Sequence, residues 1–156
     1  MAIKVGINMK ITQVVTLFAS ILCLCVGCQK YSARDVPEAV RNAFAKDYPN
    51  AKFSTWDKET FEGSAVYEAE DVSVGNTTRN VMYSPEGQVV QTEDTIPVSD
   101  VPSPIISAVS KQFPGAAIKS AEKRTHAQTV EYAVRLNGAT VKMVVVDSDG
   151  KIISTK

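Results

Sequence analysis

The sequence predicts an α+β fold: two tandem helix-plus-antiparallel-meander repeats, with the helices on one face of a shared or adjacent sheet. Three observations carry this expectation. Val36-Pro37 through Tyr48-Pro49-Asn50-Ala51 aligns with Val101-Pro102 through Phe113-Pro114-Gly115-Ala116 at a constant offset of 65, the signature of an internal repeat. Within each unit the apolar spacing changes from helical to alternating. Turn-forming pairs then punctuate the alternating stretches.

In the first unit Asp35 stands at an N-cap position. Pro37 suits a first turn, and Glu38 completes an Asp-x-x-Glu capping arrangement. Val40, Ala43, Phe44 and Tyr48 share one helical face, and Pro49 ends the helix. Ile105, Ile106, Val109 and Phe113 repeat the pattern before Pro114. Strands follow: Ala65, Tyr67 and Ala69 alternate with Val66, Glu68 and Glu70. In the second unit Val130, Tyr132, Val134 and Leu136 alternate with Glu131, Ala133 and Arg135. Asn137-Gly138 signals a two-residue hairpin, and Pro85-Glu86-Gly87 and Asp149-Gly150 mark further turns. The offset falls to 63 over the last strands, which pairs Tyr83 with Val146. The units are placed at 35–96 and 97–156. One helix per unit covers one sheet face and leaves the other open to solvent or to a partner.

Ahead of the repeats lies an address. Lys10 precedes Ile11–Val26, 16 uncharged residues, a run short of the roughly 20 that a spanning helix needs. Residues 1–27 are therefore read as a signal peptide of lipoprotein type. Val26-Gly27-Cys28 resembles a lipobox, with Cys28 the residue that takes the lipid; Cys25 departs from the aliphatic usual at that place. All three cysteines (Cys23, Cys25 and Cys28) lie in or beside the leader, so the rest of the chain has no disulfide to form. Residues 28–34 read as a polar tether. The expected location is the periplasmic side of a bacterial envelope, lipid-anchored, with a soluble periplasmic or secreted protein as the alternative.

Without the leader the chain carries 15 basic and 17 acidic residues, a net charge of −2. That balance lacks the clustered Lys and Arg needed to displace counterions from nucleic acid. Val-Pro, an amphipathic helix, an aromatic-Pro stop and a meander ending in a Gly-Lys/Gln-aliphatic strand resemble the PepSY-like family of secreted bacterial tandem-repeat proteins. The resemblance covers Val36 to Ile153. It implies a non-catalytic envelope domain likened in fold to the β-lactamase inhibitory protein, binding a protein or inhibiting an enzyme.

Chemistry-bearing residues are sparse. The single histidine, His126, falls in Lys-Arg-Thr-His-Ala-Gln and is read as a loop residue between strands. One His and no Cys beyond the anchor do not make a zinc site, and no cofactor is expected. Asp147-Ser148-Asp149-Gly150 imitates a calcium loop, but the twelfth position would fall beyond Lys156, so it reads as a hairpin turn. Glu68 and Glu70 share a strand face, geometrically fit for acid–base work and more simply a solvated face.

Binding candidates are Trp56, Glu68, Glu70 and Tyr83. Counting three residues from the helix-facing Phe53 puts Trp56 on the open face, where an aromatic beside carboxylates suits protein recognition. The expected partner is an envelope or periplasmic protein. The alternative is a periplasmic carrier or sensor of a small envelope component.

Overall fold

A computed structural model describes residues 31–53 and 55–156. The expected signal peptide and Cys28 lie outside them. Two helices occur, α1 (Glu38–Asp47) and α2 (Ser103–Gln112). Eight strands make up the rest: β1 (Trp56–Phe61), β2 (Ser64–Val74), β3 (Thr77–Tyr83), β4 (Val89–Ile96), β5 (Ala117–His126), β6 (Thr129–Asn137), β7 (Met143–Asp147) and β8 (Ile152–Thr155). They form a single antiparallel sheet in the order of the sequence.

This corrects the expected α+β class of two helix-plus-meander repeats: the fold is mainly β. What decides it is proportion, eight strands in one sheet against two short helices, with β4 and β5 pairing from Gln91↔His126 to Ile96↔Ala121. Those bonds carry one ladder through the middle of the chain, leaving no sheet boundary there. The two helices, of ten residues each, are additions to its surface.

Register shows that both helices lie on the same side. Val81, Thr92 and Thr125 are cross-strand neighbours, and Ala121 precedes Thr125 at an even spacing along β5. Val40 and Phe44 of α1 pack with Trp56, Ala69, Val72, Val81 and Tyr83. Ile105 and Val109 of α2 pack with Ala121, Val134, Leu136, Val144 and Val146. Burying each of these large apolar side chains contributes roughly 1.5–3 kcal/mol. Ile106, expected on the same buried stripe, is instead exposed.

Local chemistry differs from expectation at three further points. Asp35 does not cap α1; its Oδ2 accepts hydrogen bonds from the Ser32 amide (3.2 Å) and hydroxyl (2.7 Å), and Pro37 occupies the N-cap. The Asn137-Gly138 hairpin is longer than two residues, since β7 begins only at Met143. Residues read as tether are held to the domain. The Tyr31 amide donates to the Trp56 carbonyl at 2.9 Å, and Arg41 donates to the Ala33 carbonyl at 3.1 Å.

Two turns press on the helices. A Cβ at Gly87 would lie 2.6 Å from the Ala39 carbonyl oxygen, and one at Gly150 would lie 2.9 Å from that of Pro104. Both glycines also take positive φ, so only glycine fits each contact without strain. On the helix side, Arg79 grips Asp94 with two bonds, 2.6 and 3.0 Å, and reaches the Tyr48 hydroxyl at 3.3 Å, fixing the end of α1 to the sheet.

Candidate functional site

The face that carries no helix is defined by its register. Asp57, Glu68, Met82, Gln91, His126 and Thr129 are successive cross-strand neighbours. A second row beside it runs Asn80, Glu93, Arg124, Glu131, Asp147. The two rows span seven strands and, Met82 apart, present polar side chains to one side.

The face is concave. Phe61 in β1 and His126 in β5 meet edge-on, with ring centroids 5.0 Å apart. Four strand spacings would separate those strands by about 19 Å in a flat sheet. Strand twist and bulges supply the curl; ladder shifts occur in β2 (Ala69/Val72), β3 (Met82/Tyr83) and β5 (Ile118/Ser120). The result is a groove of about 650 Å³, lined by Glu59, Glu62, Glu68, Glu93 and Glu131, with Arg124 and Lys156 as its cations. Phe61, Met82 and His126 supply its less polar walls.

Curling also buries the floor. Glu68 is 4% exposed, Gln91 7% and Asp57 8%, although no helix covers them. Arg124 is already committed: its Nε lies 3.2 Å from Glu93 Oε1 and its Nη2 3.1 Å from Glu122 Oε2. Gln91 Nε2 donates to Glu93 Oε1 at 2.7 Å. Glu68 is left among like charges. Burial first, then Glu59, Glu93 and Glu70, push its carboxyl up to about 8, against a smaller opposing hydrogen bond from Asn80. Burial likewise raises Glu93, with Arg124 opposing. Such a set of groups stores a proton at neutral pH and attracts cations.

The four residues singled out from the sequence separate. Glu68 lies on the groove floor, buried rather than on a solvated face. Glu70 is half-buried beside it, at the bulge where Asp71 takes a φ of 53° and donates its amide to Asn80 Oδ1. Trp56 is not on the open face; it is 3% exposed and meets Phe44 edge-on at 5.2 Å and Phe53 at 5.5 Å. The parity count from Phe53 fails because β1 begins at Trp56 itself, so no continuous strand links the two. Tyr83 is also in the helix-side core, fully buried, its hydroxyl without a hydrogen bond and its ionisation pushed up chiefly by burial.

His126, read as a loop residue, ends β5 and closes the groove against Phe61. Sequence reasoning missed Glu59, Gln91, Glu93 and Arg124. Their signal was present, since Gln91/Glu93 and Glu122/Arg124/His126 recur at alternate positions and so share a face of any strand. The Asp147 turn is what the sequence suggests: Oδ1 accepts the amides of Asp149 (3.0 Å) and Lys151 (2.8 Å). Among the described residues, no three His, Cys, Asp or Glu side chains are grouped to hold a metal ion.

Solved structures share this architecture. A DUF2874 family protein from Bacteroides uniformis superposes with a TM-score of 0.63 at 21% identity, over 77% of this chain and 88% of that one. A BLIP-like protein from Bacteroides fragilis gives 0.60 at 17% identity, over 77% and 85%. The fold is BLIP-like. A proposed periplasmic protein from Bacteroides eggerthii has it too, with a TM-score of 0.63 at 16% identity over 78% and 88%. At these identities the likeness is one of fold, and it does not single out the PepSY-like family. No protein-family model and no curated protein sequence matches the chain. On this BLIP-like fold the acidic groove occupies the concave side of the sheet, opposite both helices.

Proposed function

We propose that this chain is a non-catalytic binding module of the bacterial envelope, held there by a lipid on Cys28, that takes a protein partner on the concave face of its sheet. The observation that carries the reading is the buried polar floor. A merely solvated face keeps its carboxylates in water, whereas Glu68, Asp57 and Gln91 are desolvated without a covering element. Desolvated polar groups at the bottom of a concavity are the usual construction of a binding site. The groove's groups form a charge-holding set rather than a nucleophile with its base, which supports binding over catalysis.

Other support is indirect. The leader and lipobox-like Val26-Gly27-Cys28 argue for export and anchoring, and the periplasmic description of the Bacteroides eggerthii neighbour points to the same compartment. The BLIP-like description of another favours a protein partner over a small ligand. The punctuation shared at offset 65 supports two repeats of PepSY-like type, 35–96 and 97–156, fused into the one sheet.

The test uses the full chain in mild detergent, immobilised and exposed to crosslinked envelope extract. Wild type and Ile106→Lys, which alters the helix side, are expected to retain the same protein. Glu59→Lys/Glu131→Lys, which reverses charge in the groove, is expected to lose it. Equal retention by all three chains, or loss on Ile106→Lys alone, removes the concave face from consideration.

A further inference from the structure

The groove's charges are unequally shared. Arg124 lies between Glu93 and Glu122 and is ion-paired with both, although its Nε makes no hydrogen bond. Glu59 and Glu68, together with Glu62 and Glu131 at the rim, then outnumber Lys156, the one other cation among the described residues that line the groove. The groups acting electrostatically on Glu68 are Glu59 from β1, Glu70 from its own strand and Glu93 from β4, all of one sign, with the Asn80 amide from β3 as its hydrogen-bond partner. Glu68 is 4% exposed, so water does not relieve the crowding as it does on an open acidic surface.

We propose that the concave groove docks a basic segment of a partner protein, whose arginine or lysine side chain enters the groove beside the Phe61–His126 contact to pair with Glu68 and Glu59. This deepens, and rests on, the reading of the concave face as the binding face. Charge complementarity selects a cation. The paired carboxylates suit a guanidinium in particular, since they accept its fork of donors. A chain segment fits better than a lone small cation, because the unmatched carboxylates are distributed over β1, β2 and β6 rather than gathered at one point.

Ionisation of Glu68 is coupled to docking. Its carboxyl, held up to about 8, carries a proton at pH 7. A guanidinium beside it favours the charged form, so the proton leaves to solvent as the ion pair forms. Binding is therefore accompanied by release of a proton at pH 7 and tightens as pH rises towards 8. It also weakens with added salt, as a charge-driven encounter does.

The test is calorimetric titration of the full chain, in mild detergent at pH 7, in two buffers of different ionisation enthalpy. The probe is an acetylated, amidated heptapeptide with arginine at alternate positions and serine between. Its controls are the same peptide with citrulline for arginine, which keeps shape and removes charge, and free arginine amide. The arginine peptide is expected to bind with proton release, and the citrulline peptide about 10- to 100-fold more weakly, the range for hydrogen bonds to charged groups. Glu68→Gln is expected to abolish the proton release and to weaken the arginine peptide by a similar factor. Because that substitution relieves a buried carboxyl, its loss of affinity is not a loss of fold; Glu59→Gln, on the neighbouring strand, gives an independent second reading.

Equal binding of arginine and citrulline peptides, or of wild type and Glu68→Gln, overturns the proposal. So does absence of binding by the arginine peptide. Free arginine amide binding as tightly as the peptide overturns the choice of a protein segment and makes the groove a small-cation site. None of these outcomes touches the retention experiment above, so a partner still lost on Glu59→Lys/Glu131→Lys leaves the concave face as the binding surface with a different chemistry.

Discussion

Trp56→Ala is expected to destabilise the fold by roughly 3–5 kcal/mol, the range for deleting a large buried aromatic. Trp56 sits at the centre of the helix-side aromatic cluster, against Phe44, Phe53 and Tyr83, with ring centroids 5.2, 5.5 and 6.4 Å away. Its backbone also receives the Tyr31 bond that begins the described chain. Removing the indole leaves a cavity lined by these rings and loosens the contact between α1 and the sheet. Thermal unfolding followed by circular dichroism checks this, with an expected fall of about 10–20 °C for a domain of this size. A residue on the binding face would behave differently: its loss would lower affinity and leave the melting temperature in place.

Glu68→Gln is the second large effect, and it has the opposite sign. Between pH 4.5 and about 8 the folded chain keeps a proton on Glu68 that the unfolded chain has lost. The fold therefore loses stability as pH rises through that window and levels off above it. Over the full window the loss is roughly 3–5 kcal/mol, since each pH interval of one contributes about 1.4 kcal/mol. Glutamine keeps the shape and the hydrogen-bonding partner without the charge. Urea denaturation at pH 5 and pH 8.5 should show the variant close to wild type at the first and more stable by that amount at the second. A shallower slope should remain in the variant, because burial raises Glu93 in the same direction. Parallel pH profiles for the two proteins would mean that Glu68 is ionised and solvated in the fold.

Much of the architecture was legible where a single residue dictates local backbone. Pro49 and Pro114 stop helices whose last turns end at Asp47 and Gln112. Gly87 and Gly150 mark turns because each takes a φ that other residues resist. What the sequence did not reveal was whatever depended on how distant segments meet. The β4–β5 ladder joins residues about 30 positions apart, and no local pattern announces it; hence the expectation left open whether the sheet is shared or adjacent.

The site failed to show for a related reason. Trp56 looked like a surface anchor because its face was inferred by counting from Phe53, which lies outside β1, a strand that begins at Trp56 itself. Glu68 looked like an ordinary solvated carboxylate because alternation shows which side a residue faces, not whether that side curls shut. The contact between Phe61 and His126 that closes the groove joins two hairpin tips far apart in the chain. Arg124 between Glu93 and Glu122 has the same origin, a product of register across strands.

The measurement that bears most directly on the central claim is photo-crosslinking in living cells. A photoreactive residue is placed either at Glu131, on the groove rim, or at Ile106, on the outer side of α2 and 41% exposed. One discrete adduct from position 131 and none from position 106 is the predicted result. The same adduct from position 106, or adducts from it alone, would contradict the account by placing the partner on the helix side.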